Sequence, residues 1–398
     1  MRILSILAAS LTFSIAPAAQ AQSQSQSQSC GGDFGSFVND LRSEAVSRGY
    51  DSGLAESFFR GVQRNQAVIN ADRSQGIFQR PFLDFSRALI SQNRMAAGRS
   101  RLDQYRSVFD RARSEYGVQP GILLAFWAFE TDFGANQGNF NTVNALVTLA
   151  HDCRRPEIFR PQVFAALEMY RRGALDPRNT QGAWAGEIGM VQKLPSDIID
   201  HAVDGDGDGR IDLQNSAADA LMSAASMLRA NGWRANEPWM HEVTIPQGMD
   251  LTRTGLRTEM SVRDWQAMGV RPAHGSLPSG DMRGSIILPQ GHRGPAFMVF
   301  HNYRVLFEWN QSFIYVTTAA YFGTRLMGAP VYQAGNPETG LNQDQMRDLQ
   351  QRLAQRGYDV GGIDGILGAN TRAAVQDVQA ELGLPADGWP TPQLLRSL

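Results

Sequence analysis

The chain has 398 residues, 42% of them hydrophobic, enough for two or three packed domains and too apolar for a disordered or fibrous protein. With 37 basic against 39 acidic residues the net charge is −2, so no global field draws it to nucleic acid or to an acidic membrane surface. Two cysteines exclude a cysteine-rich scaffold and a four-thiolate zinc site, and the six histidines are scattered without ligand spacing. Every basic residue except Lys193 is an arginine, which reads as a bias of composition.

At the start, Met1-Arg2, the apolar run ILSILAASLTFSIA and the small-x-small AQA read as an export signal over residues 1–21, cleaved near Ala21. The run is shorter than the roughly twenty apolar residues a bilayer needs, and nothing later is long enough to span, so no transmembrane anchor is expected in the mature chain. Residues 22–33, mostly a Gln/Ser repeat, cannot bury anything and read as a tether. In an oxidising compartment Cys30 and Cys153 can pair, pinning the mature N-terminus to the body.

From 34 to 328 the pattern is mostly helical, with spacings such as Phe37, Leu41, Ala45 and Val163, Ala166, Leu167, Tyr170, and strand-like alternation is sparse. Pro120 suits the first position of a helix, and GILLAFWAFETDFG then runs apolar almost all round until Gly134. Such a helix belongs in the interior. Glu130 interrupts it one turn after Phe126 and Trp127, where ionisation means desolvating a charge beside aromatic rings, so its pKa should rise. A carboxyl kept protonated near neutrality can donate a proton to a leaving glycosidic oxygen and later take one back. The plain alternative is a glutamate at a helix end that reaches solvent or a basic partner. Asp132 points to another side of the helix.

Farther on, DGDGDGRIDL sets Asp204, Asp206 and Asp208 at alternate positions, then Arg210, Asp212 and, later, Asp219. Hard oxygen ligands so spaced suit calcium, in the manner of an EF-hand loop, with Arg210 able to offer only its backbone carbonyl. Asn215 stands where that loop has its bidentate glutamate, so the match is partial, and a solvated acidic turn is the alternative. Residues 329–340, within GAPVYQAGNPETG, read as a linker. The final domain, 341–398, puts Met346, Leu349 and Leu353 on one helical face, breaks at Gly357, and starts a second amphipathic helix at Thr371 with Ala374, Val375, Val378 and Leu382.

That final segment resembles the peptidoglycan-binding domain type 1, a three-helix module with the pattern LQxxLxxxGYxxGxxDGxxGxxTxxAVxxxQxxxGLxxDGxxxxxxLxxL, which implies docking to murein. Upstream, YGVQPGILLAFWAFETDFG followed by NALVTLAHDCRR resembles the catalytic segment of the lytic murein transglycosylase B family, YGVPxxxxxAxxxxETxxG followed by ALATLA and a basic pair. GAWAGEIGMVQKLPSDI is similar to the family's GSxAGAxGxxQFMPSxx, and WNQSFIY to its YNxSxxY. The fold implied is mainly α, a lysozyme-like helical transglycosylase domain plus the small peptidoglycan-binding domain.

The resemblance makes Glu130 the single acid/base. It implies that Gln192 helps hold the N-acetyl sugar and that Asn310 and Tyr315 line the cleft near the scissile bond. Gly182, Gly186 and Gly189 can let backbone approach a ligand, and Trp184 and Trp309 suit sugar stacking and core packing equally. A metal loop at the place of the acidic stretch is also implied, with calcium in a structural role and no cofactor for catalysis. Where other glycosidases use two carboxyls, such an enzyme lets the muramyl 6-hydroxyl attack, leaving a 1,6-anhydro end. The expected partner is the peptidoglycan glycan strand, and the expected location the periplasm. Ala183, Glu187, Lys193 and Trp309 depart from the motifs. They keep a non-catalytic murein-binding scaffold open, and a hydrolytic muramidase acting on the same bond is the other alternative.

Overall fold

Between Pro120 and Glu130 the sequence has no charged side chain, and the helix it forms, Pro120–Thr131, is buried at every position from Gly121 to Ala128. This is the central helix of a computed structural model that describes residues 30–74 and 80–398. The export signal and most of the tether lie outside the described residues. The helix stops before Gly134. Asp132 at φ +52° and Phe133 at φ +61° are both in the left-handed region, a strain of about 1–3 kcal/mol each for residues with a Cβ. Neighbours hold the turn: Arg94 bonds the Asp132 carboxylate at 3.1 Å, and the Thr131 hydroxyl donates to the Met190 carbonyl at 2.6 Å. The corner that presents Glu130 is thereby fixed from two sides.

Gly121 and Gly323 explain the next feature. A Cβ on Gly121 would lie 2.6 Å from the Gly323 carbonyl oxygen, so only glycine lets the central helix cross the Phe313–Leu326 helix this closely. Ile122, Phe126, Val316 and Ala319 fill the core around that crossing, and Tyr315 is carried to the side of Glu130. A second core, with Leu41, Phe58, Leu146 and Leu167, joins the helices Phe34–Ser47, Ser52–Phe59, Thr142–His151 and Pro156–Arg171. Cys30 is disulfide-bonded to Cys153, their Cα atoms 5.2 Å apart.

Residues 240–299 depart from the helical expectation. They form a five-stranded antiparallel sheet in the order Met260–Ser261, Arg283–Ile287, Ala296–Val299, Met240–Thr244, Arg271–Pro272. Ile286 lies opposite Met298, and Glu242 opposite Phe297. All four residues of Ala296–Val299 are buried, and a strand covered on both faces shows no alternation to read. The architecture is still mainly α, with seventeen α-helices among the described residues.

The last module has helices Gln343–Gln355, Ala369–Glu381 and Pro392–Ser397 around Leu349, Leu353, Val375, Val378 and Leu394. Asn342 caps the first of them in a reciprocal capping box with Gln345. The module is docked on the body. Arg257 pairs with Asp377 at 2.5 Å, Gln376 donates to the Thr254 carbonyl at 3.0 Å, and the buried Arg372 guanidinium donates to the Pro289 carbonyl at 2.6 Å while lying over the Phe313 ring. The stretch read as a linker is also packed: Tyr332 is buried and bonds Ser86 at 2.8 Å.

Candidate active site

A cleft of about 1400 Å³ opens at the C-terminal end of the central helix. One wall is built from the body, and the other includes Val360, Asp364 and Asn370 of the C-terminal module. Glu130 lies in it. Its Oε1 accepts from Trp309 Nε1–H at 3.0 Å and from the Tyr315 hydroxyl. Both donors reach the same oxygen, so Oε2 is left to carry a proton.

Burial pushes the Glu130 carboxyl above its ordinary value, opposed by the hydrogen bonds from Tyr315 and Trp309 and by the positive charge of Lys193. Burial and the neighbouring Glu130 hold the Tyr315 phenol well above its own usual value, so it remains a donor. Glu187, also in the cleft, is pushed up to about 7, chiefly by burial, with Glu130 adding to the rise. Its Oε2 is buried without a hydrogen-bond partner.

The segment 182–194 forms a turn-rich hairpin just ahead of the Pro195–His201 helix. Ile188 and Lys193 exchange backbone hydrogen bonds of 2.8 and 3.0 Å, and Gln192 turns the corner at φ +49°. Its side-chain NH₂ is tied to the carbonyls of Gly189 and Gln137, at 2.8 and 3.2 Å, which leaves the amide oxygen to meet a ligand N–H. The glycines make room for the protein itself. A Cβ at Gly182 would meet the Glu187 carbonyl at 2.0 Å, at Gly186 the Leu146 side chain at 2.3 Å, and at Gly189 Leu213 at 2.6 Å. Gly186 therefore packs against the core and does not line the cleft.

Trp309 offers no free face for a sugar. Phe126 stacks on it, with centroids 3.9 Å apart and planes within 2°, and the Lys193 ammonium sits 2.8 Å from its ring centroid. It acts on the site through its N–H. Trp184 remains partly exposed on the cleft wall, and Asn310, whose Oδ1 accepts from Ser312 N–H at 2.9 Å, also lines it. Sequence reasoning gives Glu187 only as a departure, and Lys193 as a departure and as a bias of composition. The signal that could have singled out Lys193 is that it is the only lysine in the chain.

In the acidic loop, carboxylate oxygens of Asp204, Asp206 and Asp219 lie within 4.8 Å of one another. Asp219 is buried, accepting from Gly205 and Asp212 N–H at 2.7 Å each. These three fit a hard cation. Asp208 and Asp212 are outside the cluster and accept from nearby backbone N–H groups, Asp208 from Arg210 at 2.8 Å and Asp212 from Gln214 and Asn215 at 3.0 Å each. The Arg210 side chain is exposed.

Comparison with known proteins bears on both parts of the chain. A transglycosylase SLT domain model matches residues 33–324, and a putative peptidoglycan binding domain model matches residues 342–398. SltB3 from Pseudomonas aeruginosa, solved in complex with NAG-anhNAM-pentapeptide and with NAG-NAM-pentapeptide, superposes with a TM-score of 0.84 at 38% identity. The match covers 92% of this chain and 99% and 100% of those chains. Slt35 from Escherichia coli, solved in complex with calcium, has a TM-score of 0.63 at 26% identity, over 76% of this chain and 97% of its own. The membrane-bound lytic murein transglycosylase B of Escherichia coli (strain K12) is 31% identical over 192 residues, 48% of this chain. The match spans about half of that curated relative, 52% of its length.

Proposed function

The chain belongs to the transglycosylase SLT domain family, and on that premise we propose that it cleaves the β-1,4 bond between N-acetylmuramic acid and N-acetylglucosamine in peptidoglycan without consuming water. The observation that carries this reading is a carboxyl in the cleft, Glu130, whose Oε1 is held by two donors while burial favours its protonated form. Oε2 gives its proton to the leaving glycosidic oxygen. The resulting carboxylate, steadied by Tyr315 and Trp309, then takes the proton of the muramyl 6-hydroxyl as that oxygen closes on the anomeric carbon. The product end is 1,6-anhydro-N-acetylmuramic acid, a reading supported by the SltB3 complex with NAG-anhNAM-pentapeptide.

Gln192, Asn310 and Trp184 are the proposed sugar contacts in this cleft, and the C-terminal module, facing it, engages the same glycan strand. Asp204, Asp206 and Asp219 would hold a calcium ion in a structural role, a reading supported by the calcium complex of Slt35. A wall substrate fits export to the periplasm. No helix among the described residues is long and apolar enough to cross a membrane.

Glu187 favours a second reading. A second titrating carboxyl in the cleft could activate water and make the enzyme a hydrolytic muramidase. Digestion of purified sacculi followed by mass spectrometry separates the two. Anhydromuramyl ends support transglycosylation, reducing ends mean hydrolysis, and the absence of soluble products removes both.

A further inference from the structure

Lys193 has no part in the proton transfers just described, yet it is the single lysine of the chain and only 5% exposed. Taking an ammonium group out of water costs several kcal/mol, so its place in the cleft wall calls for a compensating contact. The contact is Trp309. A ring stacked at 3.9 Å and an ammonium 2.8 Å from the centroid cannot share one face. Phe126, Trp309 and Lys193 therefore form a column, and the indole N–H leaves its edge for Glu130 Oε1 at 3.0 Å. An indole is the best aromatic platform for a cation, more so away from water. Trp309 and Lys193 are also two of the residues that depart from the motifs, and they touch each other.

The charged groups around this column come from several elements. Asp197, on the Pro195–His201 helix, and Glu130, on the central helix, both act on Lys193. Glu187, on the hairpin, faces Glu130 and Arg155, and Tyr315 remains a neutral phenol. Burial alone favours a Glu130 that never releases its proton. A nearby positive charge opposes that, and an acid/base must pass through both states.

We propose that Lys193 is a positioning residue for Glu130. It clamps Trp309 with its N–H on the carboxyl, and its positive charge steadies the carboxylate formed halfway through the reaction. The proposal rests on the acid/base reading of Glu130 given above. It requires that Lys193 and Glu130 sense each other's charge.

Two measurements test it. In the first, the pH dependence of kcat/KM on glycan strands is compared for wild type, Lys193→Met and Lys193→Arg. Loss of the charge raises the Glu130 pKa, so the alkaline limb of Lys193→Met moves up by about one pH unit or more, while Lys193→Arg keeps the limb of the wild type. A limb unmoved in Lys193→Met overturns the proposal. The second needs neither turnover nor a folded Met variant. Protein labelled with ¹³C-lysine gives one lysine side-chain signal, expected to titrate near 7, lowered from the ordinary 10.5 chiefly by burial, and lower still in Glu130→Gln, which removes the favourable negative neighbour. A titration indifferent to Glu130→Gln overturns the inference and leaves the proposed activity intact. Absence of glycan cleavage by wild type overturns the activity, whatever the lysine signal does.

Discussion

The cleft and the acidic loop use the same functional group in opposite ways. In the loop, Asp204 accepts from the backbone N–H groups of Gly207 and Gly209 at 2.6 and 2.8 Å, and those bonds hold its carboxyl below the ordinary value. In the cleft, Glu130 accepts from two donors as well, yet its carboxyl is pushed up. Asp204 is solvated, so its hydrogen bonds meet little opposition, whereas at Glu130 burial is the largest influence and outweighs two bonds and a cation. A carboxylate that stays charged is suited to a cation, and one that stays protonated is suited to proton transfer. The count of hydrogen bonds alone does not tell them apart.

Substitutions can break or sharpen that contrast. Glu130→Gln keeps the shape and removes the proton carrier, so glycan cleavage should fall by about 10²–10⁴-fold with unchanged circular dichroism; a folded, active variant contradicts the role. Tyr315→Phe deletes one donor to the carboxyl. The loss of a hydrogen bond to a charged group, about 1.5–3 kcal/mol, should slow turnover by about tenfold or more and raise the alkaline limb of kcat/KM, because Tyr315 lowers the Glu130 pKa. In the loop, Asp219→Asn removes a buried carboxylate from three backbone donors. It should cost about 1–3 kcal/mol in urea unfolding, and if the proposed calcium ion raises the Tm of the wild type, the variant should lose that rise.

Glu187→Gln should have the smallest effect, and its sign is distinctive. The folded-state pKa of Glu187, about 7, lies above its ordinary value of 4.5. Its contribution to stability is therefore full below 4.5 and is lost as pH rises through 7. The variant should flatten the stability profile across that window, by about 1–2 kcal/mol because the side chain is partly open to the cleft. Asp204 behaves in reverse, its contribution being present above the ordinary carboxyl range and lost as pH falls.

Much of this was legible in the sequence where one residue type has one physical consequence. An apolar helix interrupted by a single glutamate could only be central, and Pro120–Thr131 is. The C-terminal module announced itself through its helical faces, although its second helix begins at Ala369, two residues before Thr371. The sheet is illegible in the sequence because its central strand, Ala296–Val299, is short and buried on both faces. The glycines of the hairpin were read as room for a ligand, but the contacts they permit are with Glu187, Leu146 and Leu213, which are distant in sequence or hidden by the turn. For Trp309 the sequence leaves sugar stacking and core packing equally open, because nothing local reveals that Phe126 and Lys193 cover its faces. Such pairings belong to tertiary structure.

The central claim is that burial keeps Glu130 protonated above the ordinary glutamate range. Infrared difference spectra of wild type against Glu130→Gln, recorded across a pH titration, test it directly. The account predicts a protonated carboxyl band, absent from the variant, that persists above the ordinary value of 4.5. Loss of that band at 4.5 or below would contradict it.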